Sequence, residues 1–291
     1  MIKYNPKNWV QLIFAFHKSD TVRILWKELI YIGAFTLLIA YVELTYFDHS
    51  ENLKELMTVY SLVGFVISLL LVFRTNTAYD RWWEGRKKWG AIVNDTRNLA
   101  IKINMLDPND EDREFFKRMI PNFVFAMKEH LRRQVKLEEL ELTGEEAKAL
   151  AKVDHVPAEI VNWMYARVRT MKETANMNEA EFLTLDKNLN ALLDSLGACE
   201  RILNTPIPFS YSLFIKKFIF IYVVTLPLAL LNTFEYWSAL IATFVFYVLV
   251  SMEVLAEEIE DPFGTDDNDL PTQGISERIR GNVAEILRKE S

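Results

Sequence analysis

The chain has 291 residues, 51% of them hydrophobic and 25% charged, which fits a membrane part joined to a sizeable soluble part better than either alone. A formal net charge of −7 speaks against nucleic acid as a general partner. The one cysteine, Cys199, excludes an intramolecular disulfide framework and a cysteine-rich metal site, and reads as a small buried hydrophobe.

Nine Gly and nine Pro are few for a turn-rich β protein, so long helices are expected. In chain order, Trp9–Phe16 is a short apolar run followed by HKSD. It lacks a small-residue cleavage site and reads as an interfacial or core segment rather than a signal peptide. A first long apolar run extends from about Ile24 to Phe47, with an uncharged centre of fourteen residues, Leu29–Val42. It spans a bilayer only if Trp26, Tyr31, Tyr41 and Tyr46 sit in the interfaces. An acidic connection, residues 48–55, leads to Leu56–Phe73, eighteen residues without a charge. Arg74 ends that run, and RTNTAYDR passes into a block of Trp82, Trp83, Arg86, Lys87, Lys88 and Trp89. This reads as a helix that leaves hydrocarbon and continues as a cytosolic element.

Residues 95–215 are soluble in character. Arg113–Gln134 reads as an amphipathic helix with a basic polar face, and residues 136–152 as a charged, exposed segment broken at Gly144. Further helices are expected from His155 to Arg169 and from Leu183 to Leu203. The prolines of Thr205-Pro-Ile-Pro-Phe209 impose an extended joint before a third span, Phe218–Phe234, with a kink at Pro227. Asn232–Tyr236 separates it from a fourth span, Tyr236–Met252. Lys18, Arg23, Arg74, Arg81, Arg86, Lys87, Lys88, Lys216 and Lys217 flank one side, whereas the opposite loops hold only Lys54. The positive-inside rule then places both termini in the cytoplasm and the protein in the cell (inner) membrane. The expected division is a cytosolic segment 1–23, a membrane pair with its exit segment 24–94, a cytosolic helical region 95–215, a second membrane pair 216–254, and a cytosolic C-terminal segment 255–291.

Signatures of enzyme chemistry are missing: no Gly-rich phosphate loop, no HExxH and no Gly-x-Ser-x-Gly elbow. His17, His49, His130 and His155 lie far apart, without metal-ligand spacing. Glu138, Glu139, Glu141, Glu145 and Glu146 read as a solvated helix face. Phe65, Leu69 and Phe73 share one face of the second span, either as packing residues or as a hydrophobic constriction in an oligomeric pore. After the fourth span, EEIEDPFGTDDNDLP is rich in oxygens that suit Ca²⁺, although its spacing is not that of an EF-hand and capping or solvated charge is the simpler reading.

Four segments together resemble the bestrophin family of ion channels: residues 63–90, VNDTRNLA (93–100), GACERILNTPIPFSY (197–211) and EEIEDPFGTDDNDLP (257–271). The resemblance covers nearly the whole chain, and its length is similar to that of the prokaryotic branch. It implies an all-α, four-span homopentamer around one central pore. It implies a hydrophobic neck at Phe65, Leu69 and Phe73, and a cytosolic aperture at Ala180, with Phe182 as the alternative. It further implies a Ca²⁺ clasp with side-chain ligands Asp266 and Asp269 and backbone carbonyls at Glu258 and Asp261, although no cofactor is required for conduction. The expected function is passive passage of small monovalent ions, by family default chloride and other anions, and no enzyme activity. A monovalent cation channel of the same fold and a non-conducting membrane scaffold or sensor are the alternatives. The expected partners are further copies of the chain, the lipid bilayer and the permeant ions.

Overall fold

The computed structural model describes residues 21–46, 56–174 and 177–289. The Trp9–Phe16 run, His17 and the acidic connection 48–55 with His49 lie outside the described residues. The described residues form α1 (Thr21–Tyr46), α2 (Leu56–Met105), α3 (Asp110–Leu131), a 3₁₀ turn (Leu137–Glu139), α4 (Gly144–Leu150), α5 (Val156–Thr174), α6 (Glu179–Asn204), α7 (Phe209–Phe234), α8 (Trp237–Glu260) and α9 (Thr272–Ile286). No strand occurs among them. The all-α expectation holds. Four helices, α1, α2, α7 and α8, are long and apolar enough to cross a membrane.

Contacts divide the chain into two units. The first comprises Met1–Trp82, Pro206–Pro262 and Asp266–Asn268, and the second Trp83–Thr205, Phe263–Thr265 and Asp269–Ser291. In the first unit α1 packs on α8 and α7, and α7 packs on α8. The fourteen-residue centre of α1 is only part of a 26-residue helix, about 39 Å long, so the span includes its charged ends. The core gathers Ile67 and Leu71 of α2, Ile215, Ile219 and Val223 of α7, and Phe246 and Leu249 of α8. Two polar groups inside this apolar packing find hydrogen-bond partners. Thr36 Oγ1 donates to the Ile32 carbonyl at 2.8 Å, and buried Ser251 donates to Thr21 Oγ1 at 3.0 Å, tying α8 to α1. Between α7 and α8 the chain turns at Glu235, whose φ of 45° is left-handed. α7 continues through Pro227, although that ring removes the N–H that would reach the Val223 carbonyl.

In the second unit α3 is the central helix, contacting α5, α6 and α9. Asn109 caps it by accepting from Asp112 N–H at 2.8 Å, and Asp110, Glu111 and Asp112 favour the positive end of its dipole. Arg133, at φ 57°, closes the other end, where Gln134 N–H reaches the Glu129 carbonyl and Arg133 N–H the His130 carbonyl, both at 2.9 Å. The expected basic polar face does not continue along half of this helix: every residue from Met119 to Glu129 is buried. The polar ones find partners instead. Asn122 exchanges two hydrogen bonds of 2.9 Å with the Glu141 backbone. Lys128 pairs with Glu129 at 3.0 Å and with Glu139, and donates to Gln273 of α9. In the acidic stretch 138–146, Glu138, Glu141 and Glu145 are exposed as expected, whereas Glu139 and Glu146 are half-buried. Glu139 meets Lys128, Glu141 lies 3.4 Å from Arg280, and Glu146 accepts from Arg118 at 2.8 Å while forming a capping box with Thr143. Half-buried Glu139 and Glu146 each neutralise a cation held by a neighbouring helix, whereas Glu141 stays exposed.

Two of these carboxyls sit below the usual carboxylate range. Burial alone would raise Glu129, but hydrogen bonds from Lys128 and Lys136 outweigh it; for Glu146, Arg118 and Thr143 do the same. A folded value below the unfolded one gives stability that is present above about pH 4.3 and lost as pH falls through the depressed values. The thermal midpoint of the detergent-solubilised protein is therefore expected to drop on acidification below that pH. Glu129→Gln with Glu146→Gln should flatten the dependence, and an unchanged slope in the double variant would refute the assignment.

Candidate pore-lining site

The run of apolar residues that begins α2 has two unlike sides. Ile67, Leu71, Arg74 and Ala78 are buried, at 0–3% exposure, one helical turn apart. On the other side Phe65 is 66% exposed, Leu69 45% and Phe73 55%. The same two sides persist beyond the apolar run. Gly85, Trp89, Ile92, Thr96, Leu99 and Ile103 continue the covered side, whereas Asn76, Asp80, Trp83, Lys87, Asn94, Asn98 and Ile101 continue the bare one. Fifty residues at 1.5 Å each make a helix of about 75 Å, more than twice a hydrocarbon thickness of about 30 Å. The hydroxyls in and just after its apolar part do not interrupt the helix, because Ser61, Ser68, Thr75 and Thr77 each donate to the carbonyl four residues back at 2.8–2.9 Å. Gly64 allows α7 to approach closely: a Cβ there would stand 2.7 Å from the Tyr222 hydroxyl.

Arg74 is the buried cation at the end of the apolar run. Its Nη2 donates to Glu260 Oε2 at 2.7 Å, and its Nε lies 3.6 Å from Glu253 Oε2. Glu260 also accepts the Ile207 N–H at 2.7 Å, and its carbonyl accepts from Arg81 Nε at 3.2 Å. One carboxylate thus joins α2, the chain before α7, and the end of α8. Sequence reading placed Glu260 only in an acidic run. The available signal was Arg74 itself, since an arginine closing an apolar segment requires a counter-charge.

α6 begins with a capping box between Asn178 and Glu181. Just inside it Ala180 is exposed, whereas Phe182 is half-buried with Lys172 Nζ 4.6 Å from its ring centroid. In the acidic loop after α8, Asp261 and Asp266 are exposed and Asp269 is buried at 2% exposure. Gly264 lies against the Asp269 carboxylate, where a Cβ would come within 2.7 Å of Oδ2. Glu258 accepts from Asn268 Nδ2 at 2.7 Å, and the Asn268 carbonyl accepts from Trp82 Nε1 at 3.0 Å. Cys199 is fully buried, and burial pushes its thiol up to about 12, so it is inert. The histidines do not all stay apart: His130 and His155 come together beside Glu200.

The family described as Bacterial/Fungal Bestrophin protein matches residues 1–285. Similar proteins include the voltage-dependent anion channel-forming protein of Nostoc sp., 34% identical over 288 residues, covering 96% of this chain and 92% of that one. That of Salmonella typhi, which carries the same description, is 30% identical over 292 residues, covering 98% and 94%. Among solved structures, a bacterial bestrophin homologue from Klebsiella pneumoniae superposes with a TM-score of 0.82 at 25% identity, covering 92% of this chain and all of the other.

Removing the Arg74 charge leaves buried Glu253 and half-buried Glu260 without their cation. Arg74→Met is expected to destabilise the protein by about 3–5 kcal/mol. The check is the thermal midpoint and the yield of monodisperse protein in detergent. A variant as stable as wild type would show that the ion cluster does not hold α2 in place.

Proposed function

The chain belongs to the bacterial/fungal bestrophin family, and on that footing we propose that it assembles as a homopentamer around one central pore and passes chloride and other small anions down their gradient. The observation that carries this reading is the bare side of α2, which stays uncovered through both the apolar and the polar parts of one helix. A lipid-facing surface would explain exposed Phe65, Leu69 and Phe73. It would not explain why the same stripe continues as Asn76, Asp80, Lys87, Asn94 and Asn98. A polar continuation suits a water-filled axis, and such an axis needs several copies of the helix.

Five copies would arrange Phe65, Leu69 and Phe73 as three apolar rings, separated by about 6 Å each and making a neck about 12 Å long. An ion in such a neck loses hydration and gains no charged partner, so the barrier is set by its width. The neck has no charge sign of its own. The anion assignment is supported by the descriptions of the Nostoc and Salmonella relatives. The monovalent cation alternative draws on Asp80 within the bare stripe and the net charge of −7.

In the second unit the aperture residue is Ala180. Its exposure on α6 supports it over Phe182, which is occupied by Lys172. A methyl group there leaves a wider opening than a branched side chain. The basic residues at the ends of the spans favour both termini in the cytoplasm and the inner membrane as location. For Ca²⁺ we assign Asp266 and Asp269 as side-chain ligands, with carbonyls at Glu258 and Asp261; the oxygen-rich loop and the family match support the reading.

Purified protein in planar bilayers under a KCl gradient should give currents that reverse near the chloride equilibrium potential. The Phe65→Ala, Leu69→Ala, Phe73→Ala triple variant should conduct several-fold more. Reversal near the potassium potential would replace the anion reading with the cation one, and no current from either protein would end the channel reading. Ca²⁺ should raise the thermal midpoint of wild type and leave Asp266→Ala/Asp269→Ala unmoved; equal shifts in both would reject the clasp.

A further inference from the structure

Three side chains distant in sequence converge in the second unit. His130 lies in the last turn of α3, His155 directly precedes α5, and Glu200 belongs to the C-terminal part of α6. The Nε2 atoms of both imidazoles lie 2.7 Å from the same atom, Glu200 Oε1. Their ring centroids are 4.5 Å apart, and the three donor atoms all lie within 4.8 Å of one another. We propose that His130, His155 and Glu200 form a binding site for a zinc-class divalent cation.

The donor set selects the ion. Two imidazole nitrogens and one carboxylate oxygen are ligands that zinc and its first-row neighbours take in tetrahedral sites. Ca²⁺ requires six to eight oxygens and finds one carboxylate here. Metal–ligand distances of about 2.0–2.2 Å place neighbouring ligand atoms about 3.3 Å apart, so each nitrogen need retreat from Glu200 by only about 0.6 Å. The side chains are 29%, 42% and 26% exposed for His130, His155 and Glu200. A fourth position therefore opens to water, as in zinc sites with three protein ligands.

Without an ion, local contacts bring two of the ligands towards Glu200. The His130 carbonyl accepts Arg133 N–H at 2.9 Å in the turn that ends α3. A cation there also meets the negative end of that helix dipole. His155 Nδ1 accepts Ala158 N–H at 3.3 Å, which caps α5 and aims Nε2 at Glu200. On ligation each Nε2 turns its lone pair to the ion, and His155 Nδ1, which then carries the ring proton, gives up its bond to Ala158 N–H. The ion in turn links α3, α5 and α6 through one centre.

Untagged full-length protein in detergent, stripped with chelator, is titrated with Co²⁺ and followed by visible d–d absorption, then competed with Zn²⁺. One Co²⁺ per chain is expected, with the strong bands of a tetrahedral site, displaced by Zn²⁺. His155→Gln and Glu200→Gln should each weaken binding by more than about 100-fold, beyond the loss typical of outer-shell partners. His130→Gln is a third, separate variant in case one of these fails to elute like wild type. Asp266→Ala/Asp269→Ala should leave Co²⁺ binding unchanged. Absence of saturable binding by wild type would overturn the site. So would unchanged affinity in histidine variants that elute like wild type, or loss of binding confined to the aspartate variant.

Discussion

The structure depends on a single asymmetry in one helix. α2 runs unbroken from Leu56 to Met105, buries one side from Ile67 to Ile103 and leaves the opposite side bare from Phe65 to Ile101. A helix that leaves a bilayer usually changes its surroundings at the interface. Here the chemistry of the bare stripe changes, from Phe65, Leu69 and Phe73 to Asn76, Asp80 and Asn94, but its direction on the helix does not. Because side chains three and four residues apart share a face, a stripe kept in register for ten turns demands a helix without kinks. α2 has no proline, and its serines and threonines bond back to their own helix. Both features serve that continuity.

Charge fixes where this helix sits within the first unit. Arg74 is buried at the end of the apolar run and is met by Glu253 and Glu260 of α8. Such clusters add little net stability, because each ion loses its hydration, but a one-turn slip of α2 would strand all three. Position is thus enforced by the cost of the wrong arrangement. The second unit uses the same device around Lys128, whose partners come from the same helix, the 3₁₀ turn and α9.

Much of this was legible in the sequence, and the reasons for what was not are specific. The four spans, the exit of α2 past Arg74, and the shared face of Phe65, Leu69 and Phe73 follow from local composition and helical period. Spacing alone could not choose between packing and a pore; the exposure pattern and the polar continuation of the stripe now weigh on one side. The solvated reading failed for Glu139 and Glu146 because their cations, Lys128 and Arg118, lie on another helix. For the same reason His130 and His155, 25 residues apart, concealed their meeting at Glu200. α9 was missed because its apolar residues, Ile275, Ile279 and Val283, are few and follow the acidic loop. Such tertiary pairings leave no mark in a local window.

The central claim is that the bare side of α2 faces the path of the ions. Its most direct test is thiol accessibility in a Cys199→Ala background, with single cysteines at Phe65, Leu69, Asn76 and Asp80 on the bare side and at Ile67, Leu71 and Ala78 on the covered side. A charged methanethiosulfonate reagent applied during current recording should change conduction through the first set and leave the second untouched. Equal effects on both sides, or none at the bare positions of conducting channels, would contradict the account.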